Sequence, residues 1–159
     1  MSSHDLVVKA SALAMRNVPE ANTAWLPEAV RQYKYVDIAF AAQGPDGSTV
    51  HPVLVDAETK GLSDLASARS RLQSEASEGA LQGAEAQGGT FTIVNLGRFG
   101  IRQASAIVRP PQSCVLALGA VQRRAVPDGS GGVKPSYVLS CTLSCDHRTV
   151  DGAVGAAWL

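Results

Sequence analysis

Asp146-His147-Arg148-Thr149-Val150-Asp151-Gly152 is the stretch from which the rest of this chain is best read. It begins at the end of an apolar run, Tyr137-Val138-Leu139-Ser140-Cys141-Thr142-Leu143, and gathers a histidine and two carboxylates into one short segment. Histidine is the side chain best suited to take and return a proton near neutral pH. Asp151 follows His147 by four residues, placed to hold or charge-balance the local frame directly or through Arg148. Chemistry, if the chain performs any, is expected here.

The 159 residues suffice for one domain with a sizeable core. Apolar residues make up 45% and charged residues 18%, a balance that fits a folded chain and not a disordered one. The 14 basic and 14 acidic side chains cancel, which excludes an electrostatic case for nucleic acid as partner. Aromatic residues are too few, at 5%, for a base-stacking surface. No apolar run is long enough for a membrane span, and no basic-then-apolar leader is present. The cysteines Cys114, Cys141 and Cys145 are odd in number and lie in apolar stretches, as expected of reduced thiols in a cytosolic or matrix-like compartment. Cys141 and Cys145 share a face of one strand and read as small core residues. A zinc site built on Cys145 and His147 has little support without a Cys-x-x-Cys pair, so no metal is expected.

Periodicity places a helix over 3–16, capped by Ser2 or Ser3, with Leu6, Ala10, Leu13 and Ala14 as its apolar stripe. A short helical piece is expected over 26–32. Strands over 35–41 and 50–55 flank the turn Gly44-Pro45-Asp46-Gly47, giving a hairpin. Residues 60–82 carry the clearest helical pattern, through Leu62, Leu65, Ala66, Arg69, Leu72 and Ala76. Further strands are expected over 90–96, 104–108, 114–121 and 137–145, with a hairpin turn at 128–132 and a helix starting at Asp151. This order predicts an α/β (α+β) layer fold, with helices on a mixed or largely antiparallel sheet, in one domain spanning 1–159. The last helix has few residues before Leu159 and is marginal alone, so the chain reads as a piece of something longer or as one that leans on a partner.

The segment from Leu143 to Ala156 resembles the Asp-His-Arg-x-x-Asp-Gly signature of the acyltransferase (E2) components of 2-oxo acid dehydrogenase complexes. Other stretches agree in order: Lys9 to Ala14, Val18-Pro19-Glu20-Ala21-Asn22, Gln87 to Ile93 with Asn95-Leu96-Gly97, and Pro110 to Gly119. The likeness covers nearly the whole chain and is greatest to the acetyltransferases of pyruvate dehydrogenase complexes. It implies a coenzyme A-dependent acyltransferase fold, shared with chloramphenicol acetyltransferase, and here lacking the family's N-terminal strand and helix and its C-terminal helix. It implies acetyl transfer between dihydrolipoamide and coenzyme A (acetyl-CoA), with the lipoyl group supplied by a separate lipoyl domain. It further implies trimers in which the histidine of one subunit meets a serine-bearing strand of the next, a large multi-enzyme core, other pyruvate dehydrogenase complex subunits as partners, and a mitochondrial matrix or bacterial cytoplasmic location.

By that resemblance His147 is the general base and Asp151 a structural support held by a charge pair, with Arg148 as one partner to consider. Gly152 is expected to admit a tight turn at the helix start. A free thiol has a pKa of ~8.5 and is a poor nucleophile at neutral pH, so a base beside it matters. The chain departs from the family on the strand over 90–96. Close relatives read Thr-Ile-Ser-Asn-Leu-Gly, which puts Val94 at the position of the serine that stabilises the oxyanion. Losing one such donor typically costs ~10²–10³-fold in kcat. Thr92 shares the strand face of Val94 and is the better substitute, whereas Asn95 needs a bulge to re-aim it. Two readings result: an acetyltransferase of reduced activity that keeps its base, or a catalytically weakened structural subunit of the complex core.

Overall fold

In the computed structural model, which describes residues 2–159, the chain runs α1 (Ser3–Asn17), β1 (Thr23–Leu26), β2 (Ala29–Gln32), β3 (Ile38–Phe40), β4 (Ala42–Gln43), β5 (Thr49–Val50) and β6 (Val53–Leu54). It continues through α2 (Leu62–Glu78), β7 (Phe91–Asn95), β8 (Cys114–Leu118), β9 (Gln122–Pro127), β10 (Val133–Val138), β11 (Cys141–Cys145) and α3 (Gly152–Trp158). Five strands form one mixed sheet in the order β11-β8-β7-β3-β6. β3, β7 and β8 are parallel, and β6 and β11 close the two edges antiparallel. Parallel neighbours need a crossover, and α2 lies within the connection from β3 to β7. The layered α/β fold expected from the element order is the one found.

Asp5 orients α1. Its carboxylate accepts from the Ser2 backbone N–H at 2.6 Å and the Ser2 hydroxyl at 2.9 Å, closing a capping box. The same carboxylate, only 1% exposed, meets Arg69 Nε of α2 at 2.5 Å. That buried tie turns Val8, Ser11, Ala12 and Met15 toward the sheet. The stripe expected at Leu6, Ala10, Leu13 and Ala14 is therefore displaced; Leu6 is 53% exposed and Ala10 faces solvent. Val8, Ala12 and Met15 join Leu65, Leu72 and Ala76 of α2 and Trp158 of α3 over Ile38, Phe40, Phe91, Ile93, Cys114, Leu116 and Leu118 of the sheet. Complete burial of a side chain such as Phe91 contributes ~1.5–3 kcal/mol. Side chains alternate along β7, so Thr92 and Val94 point to the face away from the helices.

Three expected elements differ. Residues 26–32 are not helical: β1 and β2 pair antiparallel, with Leu26 opposite Ala29 around Pro27 and Glu28. Residues 104–108 form no strand, since no neighbour offers them a ladder and Ile107 is 93% exposed. The apolar run over 137–145 is two strands. Its first part ends β10 in a hairpin with β9, and after Leu139 and Ser140 the chain enters the main sheet as β11. The hairpin expected over 35–56 is built in two steps, with β4 pairing β5 and β3 pairing β6. No helix among the described residues is long and apolar enough to cross a membrane.

Candidate active site

His147 lies in a turn that carries the chain from β11 to α3. β11 brings Cys145 opposite Cys114, and the next backbone N–H, of Asp146, donates to the Ser113 carbonyl at 2.7 Å. Asp146 then folds the turn: its carbonyl accepts from the N–H groups of Thr149 and Val150, each at 3.0 Å. The Thr149 hydroxyl donates to the fully buried Ser113 hydroxyl at 2.7 Å, and Val150 plugs the turn into the core. Asp151 is the N-cap of α3, its carboxylate accepting from the Val154 N–H at 2.8 Å. The loop is thus anchored on both sides of His147, whose ring is exposed and makes no hydrogen bond among the described residues. A free imidazole of this kind can accept a proton from an incoming donor.

The charge pair considered between Arg148 and Asp151 is not formed. Arg148 Nη2 instead meets Asp146 at 2.7 Å, and its guanidinium lies 4.9 Å over the Trp25 ring. The residue two before it is simply nearer, while the Asp151 carboxylate is occupied by the helix start. The Arg148 hydrogen bond holds the Asp146 carboxyl below the usual carboxylate range. The tight turn expected at Gly152 is also absent: it is the first residue of α3, and a Cβ added there meets nothing.

A cavity beside His147 is lined by Trp25, Val108, Pro110, Pro111, Gln112 and Arg148, among others. Gln112 had no sequence signal. It is 4% exposed, accepts from the Thr92 hydroxyl, and donates to the Gly89 carbonyl at 3.0 Å. The proton of Thr92 is therefore directed at Gln112, so the hydroxyl expected to substitute for the missing serine is already in use. Asn95 is committed in part, and it lines the cavity that also holds Val94. Its carbonyl oxygen accepts from the Gly97 N–H at 3.0 Å, and its amide nitrogen lies 3.4 Å from His4 Nδ1. Burial, with the Arg69 charge, keeps the His4 imidazole below its usual pKa. Gly97 is required there, since a Cβ would stand 2.6 Å from the Gly119 carbonyl oxygen.

Val94 is half-buried and lines a different cavity, with Ala41, Thr49, Leu96, Arg98 and Phe99 among its walls. That cavity shares no lining residue with the one at His147. Val94 is opposite Ala117, three register steps along β8 from Cys114, where β11 ends and the His147 turn begins. Three steps are roughly 10 Å along the strands, with two strand spacings to add across the sheet. The base and the Val94 position therefore sit at opposite ends of the parallel strands and do not meet within one chain. Among the described residues no group of three or more His, Cys, Asp or Glu side chains is arranged to hold a metal ion.

The model of the 2-oxoacid dehydrogenases acyltransferase (catalytic domain) family matches residues 1–159. The mitochondrial dihydrolipoyllysine-residue acetyltransferase component of the pyruvate dehydrogenase complex of Caenorhabditis elegans is 48% identical over 100% of this chain, which spans 31% of that protein's length. The solved dihydrolipoamide acetyltransferase (E2p) of Azotobacter vinelandii, in which the roles of a serine, a histidine and an asparagine in the catalytic mechanism were investigated, superimposes with a TM-score of 0.91 at 33% identity. That match covers 99% of this chain and 65% of the solved one. A chloramphenicol acetyltransferase matches with a TM-score of 0.61 at 14% identity, covering 99% of this chain and 74% of its own, a likeness of fold alone.

Proposed function

The chain belongs to the 2-oxoacid dehydrogenases acyltransferase family, and from that membership we propose that it transfers an acetyl group between dihydrolipoamide and coenzyme A within a pyruvate dehydrogenase complex. The observation that carries this reading is the anchored turn that leaves the His147 ring free over a cavity. His147 takes the proton of the incoming thiol, and the resulting thiolate attacks the thioester carbonyl. The tetrahedral intermediate collapses by expelling the other sulfur, which recovers the proton from the imidazolium. Asp151 is a positioning residue, acting through α3. The histidine and asparagine investigated in the Azotobacter protein are four residues apart, the spacing of His147 and Asp151 here, and asparagine caps a helix as well as aspartate does.

The oxyanion half is weaker. Val94 has no proton to donate, Thr92 gives its own to Gln112, and Asn95, whose amide nitrogen lies 3.4 Å from His4 Nδ1, keeps at most one amide proton for the cavity it lines beside Val94. A rate lowered by ~10²–10³-fold relative to a serine-bearing relative follows. The separation of His147 from Val94 supports a centre completed between two copies, the His147 turn of one facing the β7 end of the next, as in a trimer that builds a larger core. Residues 1–159 serve as the acyltransferase catalytic domain in this reading, with the lipoyl group carried on a separate domain. The names of the eukaryotic relatives favour a mitochondrial matrix location, with bacterial cytoplasm as the alternative. They also favour an enzyme over a non-catalytic core subunit.

The test is acetyl transfer from acetyl-CoA to dihydrolipoamide by the full-length protein, unsubstituted beside His147→Ala. The substitution is expected to lower kcat by ~10²–10⁴-fold. Equal rates would remove His147 as the base, and no transfer by either would leave the structural-subunit reading.

A further inference from the structure

Cys114 and Cys145 stand directly opposite each other on the antiparallel strands β8 and β11. The Cys114 thiol donates to the Cys145 sulfur at 3.5 Å, and both are free thiols, as is Cys141. Opposed residues of an antiparallel pair have Cα atoms ~4.5–5.5 Å apart. That lies inside the ~4.4–6.8 Å that disulfides bridge, so the backbone spacing admits a bond between the two sulfurs. The two thiols are not equivalent. Cys114 is 1% exposed in the core, while Cys145 lies on the edge strand and is half-buried. The shared hydrogen bond, and after it burial, pushes the Cys114 thiol up, and accepting that bond brings Cys145 down. Cys145 is therefore the better nucleophile and Cys114 the thiol held behind it. Cys141, four residues earlier on β11, is opposite Leu118 and has no thiol across from it.

We propose that Cys145 and Cys114 form a reversible oxidation site for a hydroperoxide, two residues before His147 in the chain. The Cys145 thiolate attacks the terminal peroxide oxygen. The O–O bond breaks, an alcohol (water, from hydrogen peroxide) leaves with the proton, and Cys145 becomes a sulfenic acid. The Cys114 sulfur then attacks Cys145, the S–O bond breaks, water leaves, and the disulfide forms. Two thiols lose two electrons in total, and the hydroperoxide gains them. The bridge fastens edge strand β11 to β8 at the residue before Asp146. The Cys145 sulfur it would engage lies beneath α3, 3.5 Å from where a Cβ on Gly155 would stand. The readout is covalent, so the site stands or falls independently of acetyl transfer.

The experiment exposes the native full-length protein to hydrogen peroxide, alkylates the remaining thiols and maps the peptides by mass without reduction. A Cys114–Cys145 linked pair that separates on reduction, with Cys141 alkylated, is expected. Cys141→Ser is expected to leave the link unchanged. Cys114→Ser is expected to leave a Cys145 sulfenic acid that a cyclic 1,3-diketone traps. Alkylated Cys145 with no link, a link made only through Cys141, or Cys145 passing to sulfinic acid in the unsubstituted chain would each overturn the proposal.

Discussion

The turn at His147 and the end of β7 at Val94 solve their structural problems in opposite ways. The turn is held by its own neighbours: Asp146 folds it, Asp151 caps the helix that follows, and Ser113 anchors its far side. Each of those groups has a partner that fixes the turn, and the imidazole makes no hydrogen bond among the described residues. At the β7 end the Thr92 hydroxyl is spent on Gln112 and the Asn95 carbonyl oxygen on Gly97, and the position where the serine is expected is the apolar Val94, which lines the cavity beside Asn95. What separates the two regions is which side chain the scaffold leaves unpartnered.

Restoring a donor is the strongest way to break that contrast. Val94→Ser in the full-length protein is expected to raise kcat for acetyl transfer by ~10²–10³-fold with little change in KM, measured at saturating acetyl-CoA. An unchanged kcat would mean that the β7 end already receives a donor from elsewhere.

Asp5→Ala probes the scaffold on the β7 side, because α1 carries His4 to Asn95. Removing the buried partner of Arg69, which keeps one-fifth of its side chain exposed, is expected to cost about 2–4 kcal/mol in denaturant unfolding. Burial raises the Asp5 carboxyl, but the Arg69 and Ser2 hydrogen bonds outweigh it and hold the group below its usual range. A carboxyl lowered by folding contributes stability above its unfolded pKa and loses it as pH falls through the folded one. The unsubstituted protein is therefore expected to weaken more than Asp5→Ala on acidification below the ordinary carboxylate range. Parallel curves would refute the assignment.

The smallest effects concern the turn. Asp151→Ala is expected to cost ~0.5–2 kcal/mol through the lost cap of α3. Asp151→Asn is expected to be close to neutral in both stability and kcat, since an amide oxygen caps equally well. A kcat that collapses in Asp151→Asn while stability holds would show that the charge of Asp151, not its cap, serves the site.

The parts legible in the sequence were those whose contacts are local. The His147 turn lies in one contiguous segment, and β7 announces itself by alternation and the glycine that ends it. The hairpin β1–β2 was illegible because Pro27-Glu28 is not a favoured two-residue hairpin pair and every residue of β2 is exposed, so no apolar period marks it. Residues 104–108 have strand composition, but composition cannot supply a neighbour to pair with. The α1 stripe failed on a long-range cause, the burial of Asp5 against Arg69. Gln112 was missed for the same reason: its partners Thr92 and Gly89 are distant in sequence, and a lone glutamine carries no period.

We propose that His147 and the β7 end are two halves of one centre, contributed by different copies of the chain. Complementation decides it: the full-length His147→Ala and Val94→Asp variants are assayed for acetyl transfer separately and after co-expression. The first keeps its β7 end and the second keeps its base, while an anionic side chain at 94 opposes a developing oxyanion. Each alone is expected to be nearly inactive, and the co-expressed mixture to regain transfer well above the sum of the two. A mixture no more active than its components, or full activity in Val94→Asp alone, would contradict it.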